Sequence, residues 1–258
     1  MIETTRYDDL EVRIAGDLDE LAHDAADVAS ATIREAIAQR GEATVILATG
    51  NSQLVFLAEL TARSDIPWQR VRVLHMDEYV GIGREHPASF ARYIQERVVE
   101  VVQPMEAYLI NGTGPVADEI EHYTALLHDH PVDLTCLGIG ENGHLAFNDP
   151  PVADFDDPLD VKEVEMDLAC RRQQVGEGHF PTVNDVPRTA ITLTIPALLR
   201  ARRVIGVVPN ERKAGAVCEA LVGPIDTHCP ASILRRTAHA TVWLDPGSAS
   251  LLPPRAVA

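Results

Sequence analysis

Val132 to Ile139 reads VDLTCLGI, and Gly140 to Pro150 continues it as GENGHLAFNDP. The first part is short and almost wholly apolar or β-favouring, the composition of a strand buried on both faces, as parallel sheets require. Gly138, Gly140 and Gly143 cluster at its carboxyl end, where backbone lacking Cβ atoms can turn sharply and approach a ligand. Ligands of open α/β sheets bind outside the carboxyl ends of the strands, so this order places His144 at the mouth of a crevice. A histidine in a tight loop is more often a hydrogen-bonded fixture than a catalyst. Asn142, Asp149 and an acidic pair upstream make His144 a candidate for chemistry.

Working towards the N-terminus, the residues from Pro115 to His128 have helical spacing, and so do those from Pro87 to Val99. Val71 to Met76 reads as a strand. Thr44 to Ala48 (TVILA) is another, followed by the loop Thr49-Gly50-Asn51-Ser52 and helical spacing from Gln53 to Thr61. Between Asp17 and Arg40, apolar residues from Leu18 to Ala36 recur at intervals of three and four, one stripe of a helix capped by Asp17 and ended by Gly41. Towards the C-terminus, Val152 to Pro187 is rich in Asp and Pro and weakly periodic, which predicts an irregular lid. Regularity resumes with strands at Ala190 to Ile195, Val204 to Val208 and Thr241 to Leu244, and a helix at Glu211 to Leu221. The closing LLPPRAVA reads as a surface tail. No internal repeat is found. The alternation predicts an α/β protein, a mostly parallel sheet between helices, built as one domain over residues 1–258 with 152–187 as its lid.

A chain of 258 residues with 46% hydrophobic content can bury a full core. No stretch approaches the roughly 18 to 20 apolar residues of a membrane span, and MIETTRYDDL lacks the basic and apolar regions of a signal peptide. A soluble, cytoplasmic protein is expected, with no membrane partner. The formal charge of -17 argues against nucleic acid as a partner, because phosphate backbones demand basic surface. Cys136, Cys170, Cys218 and Cys229 are far apart with no C-x-x-C pair, so neither a zinc site nor a disulfide framework is signalled.

Three further segments sit at strand ends. The Thr49–Ser52 loop joins a strand to a helix, where backbone N–H groups and the helix dipole favour an anion, although many such loops are only turns. Met76-Asp77-Glu78-Tyr79 follows the strand VRVLH, so both acids are expected at the carboxyl edge. Asp77 comes first after the strand and is the better candidate for a base whose pKa burial would raise. Lys213 opens the helix after VIGVVPNER; it is either an ordinary surface lysine or a point charge for a phosphate.

These segments, ATGNSQ, MDEYVG with EHP after it, GIGENGHLAFNDP and NERKA, together resemble the glucosamine-6-phosphate deaminase (isomerase) family over nearly the whole chain, from about Asp17 to Leu251. The resemblance implies a three-layer, Rossmann-like α/β sandwich that converts glucosamine 6-phosphate and water to fructose 6-phosphate and ammonia, with no metal or organic cofactor. Asp77 would move a proton between C2 and C1 of the open-chain sugar. His144 would open the pyranose ring at its oxygen. Asp149 would hold and tune the imidazole, and Asn142 stands where some members have aspartate. Thr49, Gly50, Asn51, Ser52 and Lys213 would cradle the phosphate. The implied partner is a small sugar phosphate, and since some members are hexamers, a homo-oligomer is among the expectations.

Two departures bear on the substrate. The lid arginine that many members use for phosphate has no counterpart: the chain reads VGEGHF there, with the matching position near Gly178 or His179. Arg171 and Arg172 are the candidates to replace it from the same loop. Asn51 stands for a glycine usual in the phosphate turn, a residue that tolerates left-handed backbone better than most. The alternatives are 6-phosphogluconolactonase, a hydrolase of the same fold that typically carries D-E-R where this chain has D-E-Y, and an isomerase or deaminase of another sugar phosphate. A binding-only sensor ranks last because Asp77 and His144 are both present.

Overall fold

The computed structural model describes residues 2–253; residues 254–258 of the expected tail lie outside them. Among the described residues, the strands form two sheets. The larger follows the order β1 (Glu3–Tyr7), β2 (Leu10–Ile14), β11 (Ala240–Leu244), β10 (Arg203–Val208), β7 (Leu134–Leu137), β3 (Ala43–Leu47), β4 (Val71–His75), β6 (Glu106–Tyr108). Every neighbouring pair in it is parallel except the β1–β2 hairpin. β3, β4, β7 and β11 are buried at every residue, as largely apolar runs dictate; in β4 the buried Arg72 and His75 are exceptions, paired with Glu106 and with the Ile110 N–H.

Helices cover both faces. The helix Leu18–Arg40 starts where the Asp17 side chain accepts from the Glu20 N–H at 2.8 Å, and it ends at Gly41, whose φ of 86° is costly for any residue with a Cβ. Its stripe of Leu21, Ala25, Ala29 and Ile33 packs with Val45, Val73, Ile205 and Trp243 on one side of the sheet. On the other side, Ile46, Leu74, Leu137, Val204 and Val242 pack against Leu126 and Leu127 of the helix Val116–Asp129 and Val217 and Leu221 of the helix Ala214–Val222. The helical stretch expected from Pro87 begins only at Phe90, because Ser89 caps it through the Arg92 N–H, and it passes through a π-turn at Gln95–Val99.

The second sheet corrects the expectation of an irregular lid. β8 (Val161–Glu165) pairs antiparallel with β9 (Thr189–Leu193), which pairs with β5 (Asp77–Tyr79). The helix Leu168–Gly176, capped by Asp167, follows β8. Beneath this layer lies a third apolar cluster built round Tyr79, whose ring lies 4.8 Å from Phe90 and 5.3 Å from Phe147 and Phe180. The lid is a packed layer on the carboxyl edge of the main sheet.

Candidate active site

β3 and β7 are neighbours in the large sheet, yet the chain leaves β3 towards β4 and β6 and leaves β7 towards β10 and β11. Their carboxyl ends therefore diverge into opposite connections and open a crevice, the place where α/β sheets bind ligands. A pocket occupies it. Thr49, Gly50 and Ser52 line it from the end of β3, Gly138, Gly140 and His144 from the end of β7, Asp77 from the end of β4 and Lys213 from the connection after β10. The helix Leu168–Gly176 and the turn after it close over it with Gln173, Gln174, Glu177 and His179.

Asp77 is buried where the chain leaves β4 and enters β5. Burial pushes its carboxyl well above the ordinary range, and the charges of Glu78 and Asp149 push it further. Glu78 points away, as strand alternation requires. Its carboxylate accepts from the backbone N–H groups of Tyr79 (2.9 Å), Phe90 (3.2 Å) and Ala91 (2.8 Å) and from the Ser89 hydroxyl (2.7 Å). Of the two acids, Asp77 faces the pocket and Glu78 ties β5 to the helix Phe90–Ile94.

His144 Nδ1 lies 3.0 Å from Asp149 Oδ1, and Asp149 is buried. Burial alone would raise the Asp149 pKa, but His144, Asn142 Nδ2 at 2.9 Å and the Asp167 N–H at 3.3 Å hold it below its ordinary value. Asn142 bridges the pair, since its Oδ1 also accepts from the His144 backbone N–H at 3.2 Å. Asn142 itself does not line the pocket. Gly140 has a steric reason to be glycine: a Cβ there would overlap the His144 imidazole. Gly140→Ala is expected to displace that ring and lower kcat/KM about 100-fold, since misplacement by ~1 Å costs about that much. Steady-state kinetics beside a circular-dichroism melt would check it; an unaltered kcat/KM would remove the imidazole from the chemistry.

In the Thr49–Ser52 loop, Gly50 carries the positive φ of 94° and Asn51 begins the single turn Asn51–Gln53. The left-handed backbone thus falls on Gly50, and Asn51 needs no special tolerance. Asn51 is exposed, and its Nδ2 donates to the Glu177 carbonyl at 3.2 Å, tying the loop to the lid. Lys213 is buried rather than superficial, and burial lowers its pKa against the pull of Glu177 and Glu141.

Arg172 is not brought to the pocket. Cys170, Gln173 and Gln174 form the buried stripe of the helix Leu168–Gly176, which leaves Arg172 exposed on the other face and outside the pocket lining. Arg171 instead braces the lid, donating to the carbonyls of Val183 at 2.6 Å and Val186 at 3.0 Å. The lid residues that line the pocket are ones the sequence reading passed over or left unassigned: Gln173, Gln174, Glu177 and His179. The spacing of residues 170, 173 and 174 was the available signal. As for metal ligands, donor atoms of His144, Asp149 and Cys170 lie within 4.8 Å of one another among the described residues. Asp149 is already engaged there, and burial next to Asp149 keeps the Cys170 thiol protonated and so a poor ligand.

Residues 16–243 match the family described as glucosamine-6-phosphate isomerases/6-phosphogluconolactonase. The chain is 35% identical over 235 residues to the glucosamine-6-phosphate deaminase of Exiguobacterium sibiricum, covering 90% of this chain and 91% of that one. Among solved structures it resembles a monomeric glucosamine-6-phosphate deaminase at 28% identity, with a TM-score of 0.83 over 93% of this chain and 99% of that chain. A 6-phosphogluconolactonase from Shewanella baltica shares the fold, with a TM-score of 0.74 at 18% identity over 91% of this chain and 97% of that chain. The buried acid after β4, the histidine loop after β7 and the matched span agree, and this chain belongs to the glucosamine-6-phosphate isomerase/6-phosphogluconolactonase family.

Proposed function

We propose that this protein is a glucosamine-6-phosphate deaminase, converting glucosamine 6-phosphate and water to fructose 6-phosphate and ammonia in the cytoplasm, as one domain whose 152–187 segment roofs the active site. The observation that carries the reading is the pairing in one pocket of a buried, high-pKa Asp77 with a His144 held by Asp149, opposite an anion-favouring loop.

The chemistry uses each of these. His144, oriented by Asp149 through Nδ1, moves a proton to and from the ring oxygen and frees the open-chain aldehyde. Asp77 then removes the C2 proton and returns it to C1, which shifts the unsaturation to the C2–N bond. Water adds at C2 and ammonia leaves. A carboxyl whose pKa is raised suits this role, because a base near the working pH can both accept and return the proton. Asn142 acts by position, holding the loop and Asp149 together. Thr49, Gly50, Ser52 and Lys213 anchor the phosphate far from the reacting carbons, which turns binding energy into alignment.

The test is to incubate the purified protein with glucosamine 6-phosphate and measure ammonia and fructose 6-phosphate together. Equal amounts of both are expected. A folded protein that releases neither, or that instead hydrolyses 6-phosphogluconolactone, sinks the deaminase reading.

A further inference from the structure

Glu177 is a carboxylate in the end of the pocket that the foregoing reading gives to a phosphate. It follows the helix Leu168–Gly176, and Gly178 after it has a φ of 84° that turns the strap back towards Phe180. Its Oε1 accepts from Gln173 Nε2 at 2.7 Å and lies 4.0 Å from Lys213 Nζ. Its Oε2 lies 3.3 Å from His179 Nε2, a buried ring nitrogen otherwise without a hydrogen-bond partner. Burial alone would raise its pKa, but His179, Lys213 and the hydrogen bond from Gln173 together outweigh burial and keep it below the usual range. A permanent negative charge therefore bridges the two basic side chains of this end, and a phosphate beside it would meet like-charge repulsion. Space to relieve that repulsion exists next door. Glu177 also lines a second cavity of about 230 Å³, whose wall includes Asn51, Asn210 and Arg212.

From these contacts we infer that Lys213 and His179 together hold the substrate phosphate, and that Glu177 is the internal anion that pairs with both until the phosphate takes its place and it turns towards Arg212. The inference rests on the phosphate reading of this end of the pocket. It makes His179 the lid's phosphate ligand, at a position where neither Arg171 nor Arg172 reaches, and makes Glu177 the residue that sets how strongly an anion must compete to bind. Arg212, half-exposed and 3.0 Å from Glu141, is the cation that the turned carboxylate would meet.

The experiment is calorimetric titration of the full chain with glucitol 6-phosphate, an open-chain sugar phosphate with no carbonyl to react, and with inorganic phosphate. Glu177→Gln is expected to bind both about tenfold tighter than the parent, because the amide competes for Lys213 without charge. His179→Asn is expected to bind about tenfold more weakly, in the parent and in the Glu177→Gln background alike. Arg212→Met is expected to weaken binding about threefold in the parent and to have no effect once Glu177 is Gln, a coupling that a merely structural Glu177 would not produce. A parent that binds glucitol 6-phosphate while Glu177→Gln binds no tighter overturns the exchange and leaves the phosphate pocket standing. An unaltered affinity in His179→Asn removes the lid ligand. Failure of both the parent and Glu177→Gln to bind either ligand overturns the phosphate end itself, and this inference with it.

Discussion

Asp77→Asn is expected to lose turnover by ~10² to 10⁴-fold, the usual contribution of a positioned proton-transfer group, and at the same time to melt at a higher temperature than the parent. The two effects have one cause. Burial and the charges of Glu78 and Asp149 raise the Asp77 pKa in the folded state. A carboxyl whose folded pKa exceeds its unfolded value favours folding below the unfolded pKa, and that contribution is lost as pH rises through the folded pKa. At neutral pH the ionised group is thus a cost to stability, which a neutral amide of the same shape removes. A gain on the order of 1 kcal/mol corresponds to about 2–4 °C for a chain of this size. The same shift predicts that kcat/KM of the parent rises with pH up to a value above the ordinary carboxylate range, since only the ionised Asp77 can act as base. Melting curves of both proteins at pH 7, beside the pH profile of the parent, would decide it. A variant that melts lower, or a parent whose acid limb lies at the ordinary aspartate pKa, would contradict the buried-base account.

Glu78→Ala is expected to do the reverse, unfolding the protein far more than it slows any surviving active site. The three backbone N–H groups and the Ser89 hydroxyl that Glu78 accepts are at buried or nearly buried positions, and Ala offers none of them an acceptor. Each orphaned donor costs about 1–3 kcal/mol, so with four of them a loss of roughly 4 kcal/mol or more, and a fall in Tm of about 10 °C or more, is expected. Chemical denaturation read by tryptophan fluorescence and far-ultraviolet circular dichroism would measure it. A loss below about 1 kcal/mol would mean that water replaces the carboxylate. Adjacent acids thus have opposite signatures: removing Asp77 costs activity and raises stability, and removing Glu78 costs stability first.

Much of the parallel sheet was legible because strands buried on both faces are largely apolar, a pattern that needs no partner to recognise; Thr44–Ala48 and Val204–Val208 show it plainly, while Val71–Met76 keeps it despite the buried Arg72 and His75. β8 was not legible as a strand. Val161-Lys162-Glu163-Val164-Glu165 carries only two buried apolar residues, and its pairing with β9 is decided by chain remote in sequence. The β1–β2 hairpin was missed for the same reason: its first strand is almost wholly unburied, and its register is set by β11 beside it.

By itself the sequence determined the α/β alternation, most of the buried strands and the placing of Asp77 and His144 at strand ends, because strand ends and glycine-rich turns are local chemistry, while the strand order that opens the crevice between β3 and β7 came from pairing between remote segments. Only the tertiary structure decided the direction of each side chain about that mouth. It aimed Asp77 into the pocket and Glu78 into the hydrogen-bond network behind it, buried Lys213, turned Arg172 to solvent and brought Glu177 and His179 into the same pocket as Lys213 and the Thr49–Ser52 loop. Those outcomes depend on which face of a lid helix finds apolar partners in Tyr79 and Phe180, and burial is a property of contacts between residues far apart in the chain.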